Sequence, residues 1–194
     1  MSSPAPVGRP RDHRTHAAIL HAAEELVVEI GYSATSITGI AARAGVGKDA
    51  IYRRWTGKPE VVYEAVFTRV DLGPVPDKGT TQADVTDLID ALIDELSAPA
   101  AAAAFPGLLA DFAADPRLRT VLRDTFLAPA RTRMGEIFER ARARGEVGED
   151  VAIELVLDAI AGTIFFHLGV LGEPPTPDLA ARLGRIVTAG IGPR

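Results

Sequence analysis

Apolar residues recur at three- and four-residue intervals through most of this chain, and this spacing constrains the fold more than any other feature. Over residues 12–30 it places the apolar side chains in one stripe on a helix of about five turns. No alternating apolar run of strand length occurs in the 194 residues. The sequence therefore predicts an all-α fold.

Glycine and proline divide this pattern into about nine helices. The expected helices cover approximately residues 12–30, 36–44, 48–55, 59–71, 81–97, 101–114, 117–144, 150–171 and 178–190. Gly31 is predicted to end the first helix in the left-handed conformation that favours glycine. The strongest break runs from Gly73 to Gly79, so we place a domain boundary there. The predicted parts are a flexible basic arm over residues 1–11, a small domain over 12–72 and a larger domain over 73–194.

Charge is unevenly distributed along the chain. The net charge of −5 by itself argues against a nucleic-acid partner. Residues 1–70, however, hold nine Arg or Lys against seven acids, a net charge of +2, which leaves −7 on the remainder. This asymmetry is typical of a nucleic-acid-binding module joined to a part with another role.

Composition argues against several classes of protein. The chain has no cysteine, which excludes disulfides, thiol sensors and thiolate zinc sites. Its N-terminal segment lacks the apolar core and cleavage site of a secretory signal. No apolar run approaches the roughly 18 residues that a membrane span requires. We therefore expect a cytoplasmic protein without a membrane partner.

The stretch GVGK at residues 45–48 contains the last letters of a phosphate-binding loop but lacks the rest of that motif. The motif needs a glycine five residues before Gly47, where this chain has Ala42. It also needs a hydroxyl after the lysine, where this chain has Asp49. The sequence therefore argues against a nucleotide-binding loop.

The same segment has the spacing of a helix-turn-helix. Ala41 is small enough for two helices to cross closely, and Gly45, four residues later, permits a tight turn. Ile51, six residues further, points back at the first helix. On a helical wheel Ile51 and Trp55 share one face, which leaves small, charged and hydrogen-bonding groups on the other. Such a face suits a reader of the major groove, and an ordinary solvated surface helix is the alternative.

The run TSITGIAARAGVGKDAIYRRWTGKPEVVYEAV resembles the DNA-binding domain of Tet-repressor-family regulators. The match covers roughly the first 70 residues, and the later helices resemble the family more loosely. One departure is Gly47, because many members have a serine there, which is a better helix cap. The matching positions are Ser36, Ile37, Ile40, Ala41, Ala44, Gly45, Val46, Tyr52, Trp55 and Lys58.

This resemblance implies roles for single residues in DNA binding. Ser36 and Tyr52 would hydrogen-bond phosphate oxygens, and Lys58 would pair with one, which sets register without reading sequence. A second group would face base edges. It consists of Thr38, Lys48, Asp49, Ala50 and Arg53.

The resemblance also implies that the larger domain binds a small inducer, apolar or aromatic, in an apolar cavity. Large apolar side chains fill cores in any protein, so the sequence does not separate lining residues from core residues. His167 is likewise a core histidine or a ligand contact. The candidate lining residues are Phe112, Phe126, Met134, Phe138, Phe166 and His167.

Other groups carry less signal. Three arginines near the N-terminus, Arg9, Arg11 and Arg14, would reach the flanking minor groove or remain solvated. His13 and His16, followed by His21, have no carboxylate or cysteine cluster beside them, so we expect no metal site. No cofactor is expected either.

The apolar faces of the last two long helices indicate that the chain pairs with a second copy of itself. Residues 151–171 are apolar on more than one face, and a stripe follows on the final helix, which a monomer would leave exposed. Small residues within the first of these helices allow close approach. The resemblance implies a homodimer that pairs these helices across a two-fold axis. The candidate interface residues are Gly162, Gly169, Leu179, Leu183, Ile186 and Val187.

The leading hypothesis is a dimeric transcription regulator that represses by binding a palindromic operator and is released by a small apolar ligand. In it, residues 12–72 bind DNA and residues 73–194 bind the ligand and dimerise. The alternative is an all-helical enzyme, a hydrolase or transferase, with no role on DNA. No nucleophile, base and orienting residue can be assembled from the sequence, so we expect no catalysis.

Overall fold

The computed structural model describes residues 9–67, 75 and 77–193, with the side chains of residues 9–12, 126 and 130 outside that description. The described residues are mostly helical and contain no strand, as the sequence predicts. The helices are α1 (Arg9–Ala34), α2 (Ile37–Arg43), α3 (Lys48–Tyr52), α4 (Lys58–Phe67), α5 (Thr81–Ser97), α6 (Pro99–Ala114), α7 (Pro116–Val121), α8 (Ala128–Ala143), α9 (Ile153–Phe165) and α10 (Leu179–Ile191). Two π-helical segments, Leu122–Leu127 and Phe166–Leu171, follow α7 and α9.

Helix α1 begins three residues before its predicted start. Residues 9–11, assigned to the arm from sequence, are helical, and Pro10 is tolerated because first-turn amides have no partner within the helix. Residues 1–8 of the predicted arm lie outside the described residues. Gly31 has φ 78° and interrupts α1 before a last turn that ends at Ala34. Gly31 therefore has the predicted positive φ, but its ψ of 164° lies outside the left-handed helical region and the helix resumes after it.

The predicted run 117–144 is two helices with a π-helical segment between them, so the described residues contain ten α-helices rather than about nine. Pro129 lies in the first turn of α8. Because proline has no amide hydrogen, regular α-helical bonding cannot continue through it.

The described residues form two compact units. Residues 9–67 and 103–118 make the first, and residues 75, 77–102 and 119–193 make the second. Residues 103–118 belong to the larger domain in the sequence-based division but cluster with the first unit. The functional boundary at residue 73 stays a prediction.

The first unit has one apolar core shared by α1 to α4. Its fully buried residues include Ile19, Ala23, Ile40, Ile51, Val61 and Ala65. Beside this core the Tyr32 hydroxyl donates a hydrogen bond to Asp111 in α6. Burial raises the pKa of Tyr32 far above its ordinary value, and the bond to Asp111 raises that pKa further.

The second unit packs α5 against α8, α9 and α10. Where α10 crosses α5, a Cβ added at Gly184 would lie 2.6 Å from Thr86 Oγ1. The Thr188 hydroxyl donates to Gln82 Oε1 across the same contact, at 2.6 Å. The crossing therefore depends on a glycine.

The expectation that no apolar run reaches the length of a membrane span is wrong. The helical run Ile153–Leu171 has 19 residues and a mean hydropathy of 1.7, which is long and apolar enough by length and composition alone. Glu154 and Asp158 interrupt its apolar letters without lowering the mean below that level. Only 17% of the tested window is buried within the chain. One helix that passes by length and composition alone does not by itself indicate a membrane protein.

Candidate nucleic-acid interface

The turn between α2 and α3 has the geometry that the small, glycine and apolar spacing predicts. Gly45 has φ 67°, a left-handed value that a residue with a side chain rarely adopts. The Val46 amide donates to the Ala41 carbonyl at 3.0 Å and closes the turn. Ala41 and Ile51 are buried in the core of the unit. The predicted helix-turn-helix is confirmed.

Helix α3 is shorter than the predicted span of residues 48–55. Its α-helical part ends at Tyr52, and Arg53 is the C-cap. The chain nevertheless keeps helical bonding for one more turn, since the Trp55 amide donates to the Ile51 carbonyl at 3.1 Å. At the other end Gly47 is extended and supplies no side-chain cap. Five residues form no stable helix alone, so packing must hold α3 in place.

The two faces of α3 differ as the helical wheel predicts. Ile51 is 0% exposed and Trp55 is 4% exposed, which anchors one face to the core. Burial of side chains of this size stabilises by roughly 1.5–3 kcal/mol each. The other face carries exposed side chains, with Ala50 half-buried between them. The exposed residues are Lys48, Asp49, Tyr52 and Arg53.

Helix α2 presents its first turn to solvent. The Ser36 hydroxyl caps the helix by accepting the Gly39 amide at 3.1 Å, and Thr38 is exposed in the first turn, two residues after the cap. The Ser36 hydroxyl hydrogen remains available for a phosphate oxygen, since the cap uses the oxygen as an acceptor. The structure therefore brings Ser36, Thr38 and the exposed face of α3 together in one small unit.

The Lys58 side chain is partly buried and lies against Tyr32 rather than extending into solvent. Its Nζ donates to the Tyr32 carbonyl at 3.1 Å and lies 4.0 Å from the centre of the Tyr32 ring. A contact with DNA phosphate would have to replace this bond. The Tyr32 carbonyl therefore competes with a DNA phosphate for the Lys58 ammonium group.

An ion pair that the sequence analysis did not identify ties α2 to α1. Arg43 donates two hydrogen bonds to the Glu29 carboxylate, at 2.7 and 2.6 Å. The bond from Arg43 holds the pKa of Glu29 below its ordinary value. The two residues are 14 positions apart on different helices, so no local spacing in the sequence predicts the pair.

The predicted ligand-pocket residues do not lie in one unit. Phe112 packs edge-on against Tyr63 in the first unit, with ring centres 5.9 Å apart. Phe138 is fully buried in the core of the second unit, with Met134 packed against that core. Phe166 is largely exposed, and the Phe126 side chain lies outside the described residues.

His167 lines a cavity of about 330 Å³ between the π-helical segment after α9 and the start of α10. Its Nδ1 lies 3.6 Å from Glu173 Oε2. Leu183 and Ile186 also line this cavity. The ligand-pocket set therefore stays a prediction, with His167 beside a real cavity.

The predicted dimer residues divide between the core and the surface. Leu183 is buried within its own unit, because α10 packs its apolar stripe against α5 and α9. Leu179 and Val187 are partly buried against the same core. Ile186, by contrast, is 71% exposed. Gly162 has open space around it, and Gly169 lies in the π-helical segment after α9.

Among the described residues, no group of three or more histidines and carboxylates is placed to hold a metal ion. His16, one of the histidines considered for a metal, instead stacks on Trp55 with ring centres 5.2 Å apart.

Two family models match this chain. The model described as "Bacterial regulatory proteins, tetR family" matches residues 19–65, which hold the helix-turn-helix. The model described as "Tetracyclin repressor-like, C-terminal domain" matches residues 75–187. The second match alone spans more than half of the 194 residues.

Known proteins similar to this chain include bacterial transcription regulators. The uncharacterized HTH-type transcriptional regulator YdeS of Bacillus subtilis is 34% identical over 167 residues, which covers 86% of this chain and 84% of the relative. The DNA-binding transcriptional repressor TetR of Mycobacteroides abscessus is 30% identical over 176 residues and covers 89% and 91%. The crystal structure of the TetR family regulator SCO0332 has a TM-score of 0.76 at 24% identity, covers 93% of this chain and 100% of that one, and shows the same fold.

Proposed function

Since the chain belongs to the TetR family of DNA-binding transcriptional regulators, we propose that it is a homodimeric repressor that a small apolar ligand releases from a palindromic operator. The observation that carries the proposal is the exposed face of α3, opposite the buried Ile51 and Trp55. Neither the family nor the relatives support the all-helical enzyme alternative.

The geometry of the first unit supports the proposed DNA contacts. Lys48 and Asp49 lie exposed in the first turn of α3, the part of a recognition helix that reaches base edges. Lysine addresses guanine and aspartate accepts from the cytosine amino group. Tyr52 and Ser36 each carry a hydroxyl on the same unit that suits a phosphate oxygen. Thr38, Ala50 and Arg53 complete the base-facing set, and Lys58 reaches a phosphate once it leaves Tyr32.

The apolar side chains that the second unit leaves uncovered support the proposed dimer. Leu155 and Phe166 are exposed along α9 and its π-helical extension, and Ile186 is exposed on α10. Two copies paired through this face bury these side chains and set two α3 helices about 34–36 Å apart, one turn of the duplex. The low burial of the run Ile153–Leu171 has the same explanation, with no membrane involved.

The ligand response requires that one molecule bind two states of the dimer differently. A ligand that prefers a state with the wrong spacing of recognition helices lowers DNA affinity by its preference for that state. The Mycobacteroides abscessus relative is named a repressor, which supports this sign of regulation. The protein acts on DNA in the bacterial cytoplasm, and no cofactor or catalytic step is needed.

The test is a selection followed by a release assay. Wild-type protein is mixed with a random pool of duplexes of about 30 base pairs, enough for two half-sites one helical turn apart. Bound DNA is then sequenced. We expect enrichment of one sequence with two-fold symmetry, and a gel shift on that duplex that a library of apolar metabolites reverses for some compounds. A protein that enriches no sequence is not a regulator of this kind.

A further inference from the structure

Trp55 is the only tryptophan in the chain and the last anchor of α3. Helix α3 has five residues and no side-chain cap, so its orientation depends on what its buried side chains contact. Ile51 fixes one point of the helix in the core. Trp55 lies three residues after the end of α3, in the turn whose amide still bonds to the Ile51 carbonyl, and fixes the second point and thereby the direction of the helix axis.

Two residues from other helices hold the Trp55 ring. Its Nε1 donates to Glu64 Oε2 in α4 at 2.6 Å. The His16 ring in α1 stacks on it, with ring centres 5.2 Å apart and planes inclined by 19°. His16 Nε2 also lies 3.0 Å from Glu64 Oε1, the other oxygen of the same carboxylate. The three side chains therefore form a closed triangle.

Each contact of this triangle restricts a different movement of the indole. A buried indole amine needs an acceptor, so Glu64 fixes the direction in which the Nε1 edge points. Stacking on His16 fixes the plane of the ring, because aromatic pairs prefer offset parallel or edge-on arrangements. With either contact removed, the ring can turn in its site and α3 can pivot about Ile51.

We propose that His16 and Glu64 are positioning residues for sequence recognition, acting through Trp55 without contacting DNA. The proposal rests on the function proposed above, because it assumes that the exposed face of α3 reads base edges. Base contacts require side chains at fixed places along the groove, whereas contacts to the regular phosphate backbone tolerate small displacements. Loss of the triangle should therefore weaken binding to the selected sequence more than binding to random DNA.

The decisive variant is His16→Ala, measured on the enriched duplex and on the unselected random pool. We expect its affinity for the enriched duplex to fall about tenfold, the value of one base contact. Its affinity for the pool should stay within about twofold of wild type, because contacts to the phosphate backbone tolerate small displacements. His21→Ala is the matched control, because His21 lies on the same helix but pairs with Glu25 at 3.3 Å instead of contacting Trp55.

His16→Phe is the rescue variant, because it restores a ring that can stack. It should regain most of the lost affinity for the enriched duplex. Glu64→Gln provides an independent route, since the amide oxygen still accepts from Nε1 but the carboxylate charge beside His16 is lost. The double variant His16→Ala, Glu64→Gln should lose less than the combined single losses, because both residues act through one ring.

The single tryptophan provides a direct readout of the triangle by NMR, since the chain has one indole amine signal. His16→Ala and Glu64→Gln should both shift this signal and speed its exchange with water, and His21→Ala should leave it in place. Thermal unfolding of each variant shows that the protein remains folded.

Three outcomes overturn the inference. In the first, His16→Ala binds the enriched duplex as tightly as His21→Ala does. In the second, it loses affinity equally for enriched and random DNA. In the third, the indole signal is unchanged by both His16→Ala and Glu64→Gln. If wild-type protein enriches no sequence, the proposed function fails and the inference fails with it, whereas enrichment by wild type with an unaffected His16→Ala defeats the inference alone.

Discussion

Two lysines of the first unit are held in different ways in the protein without DNA. Lys48 is exposed at the first position of α3. Lys58 already donates to the Tyr32 carbonyl and lies over the Tyr32 ring. A base contact by Lys48 therefore breaks no bond to another residue that the structure describes, whereas a phosphate contact by Lys58 must replace one.

We expect Lys48→Ala and Lys58→Ala to weaken DNA binding differently. Lys48→Ala should lose about 1–3 kcal/mol on the enriched duplex and relax the preference at one base position. Lys58→Ala should weaken binding to all sequences and reduce the salt dependence by about one unit of slope. Anisotropy titrations at several salt concentrations measure both effects. Lys78→Ala, which removes a lysine paired with Asp87 in the second unit, is the control. Equal effects of the two variants on enriched and random DNA would defeat this assignment.

Ionisation of Glu146 should make the stability of the second unit depend on pH. Its carboxylate accepts the Thr81 hydroxyl and the Thr81 amide, the latter at 2.6 Å, at the start of α5. These bonds, followed by the bond from Arg144, hold the pKa of Glu146 below its ordinary value. The folded protein therefore favours the ionised form.

A lowered pKa in the folded state stabilises above the unfolded-state pKa of about 4.3, and the stabilisation is lost as pH falls through the folded-state value. Glu146→Gln should thus lower the free energy of unfolding at pH 7, and the difference from wild type should shrink toward about pH 3. Urea unfolding at the two pH values measures this change. Glu149→Gln, at an exposed glutamate in the same loop, should show no such trend. A constant difference across pH would contradict the assignment.

At the scale of helices, the N-terminus of α3 lacks a side-chain cap, and a substitution there could stabilise the helix. Gly47 has φ −74° and ψ 150°, the extended geometry of an N-cap, but offers no side-chain acceptor. A Cβ added there meets no atom within 4 Å. A serine would therefore fit without displacing a neighbour and would accept a first-turn amide.

Gly47→Ser should stabilise α3 by a few tenths of a kcal/mol, about the difference between serine and glycine as caps. Slower hydrogen exchange at the amides of Ala50 and Ile51 would report the change locally. Gly47→Ala is the control, because it adds the same Cβ without the oxygen and alanine is a poorer cap than glycine. If both variants slow exchange equally, capping is not the cause.

The crossing of α10 over α5 provides an opposite case. Ala at position 184 would bring a Cβ to 2.6 Å from Thr86 Oγ1 and 3.1 Å from Gln82 Nε2. We expect Gly184→Ala to destabilise the protein by about 1–3 kcal/mol through overpacking. Gly190→Ala lies on the same helix with no atom within 4 Å of the added Cβ, and should be neutral or stabilising. Urea unfolding of both variants measures the difference in stability. Equal unfolding midpoints would show that α10 can move away from α5 without a loss of stability.

At the scale of the whole molecule, the second unit exposes apolar side chains that a second copy would cover. Ile186 is the most exposed of the large apolar residues in the described part of the chain, at 71%. It lines a cavity of about 400 Å³ together with Leu155 and Val187. This face joins the uncovered side of α9 to the outer side of α10.

Ile186→Glu should convert the proposed dimer to a monomer. Two buried isoleucines at a two-fold interface contribute roughly 3–6 kcal/mol, so the dissociation constant should rise at least about 100-fold. Light scattering across a concentration series measures the mass. Ile30→Glu makes the same change at an isoleucine 51% exposed on α1 and should leave the mass unchanged. A dimer that survives Ile186→Glu uses another face.

The parts of this structure that the sequence predicts are those that depend on residues close together in the chain. Gly45 needs a left-handed turn, and Ile51 and Trp55 repeat at helical spacing, so the helix-turn-helix and its buried face follow from neighbours in the chain. Helix ends are less certain, as the earlier start of α1 and the earlier end of α3 show. Helix propensity changes little across one helical turn. The backbone hydrogen bonds at the end of a helix decide which residue is its last.

The sequence by itself determined the all-α class, the family and the face of α3 that turns to solvent, because these depend on periodic spacing and on single glycines. Only the tertiary structure decided the partners of single side chains. Lys58 lies against Tyr32, His16 stacks on Trp55, and Leu183 faces its own core instead of a partner. These contacts join residues far apart in the chain, and packing between helices, which leaves no mark on local spacing, selects them.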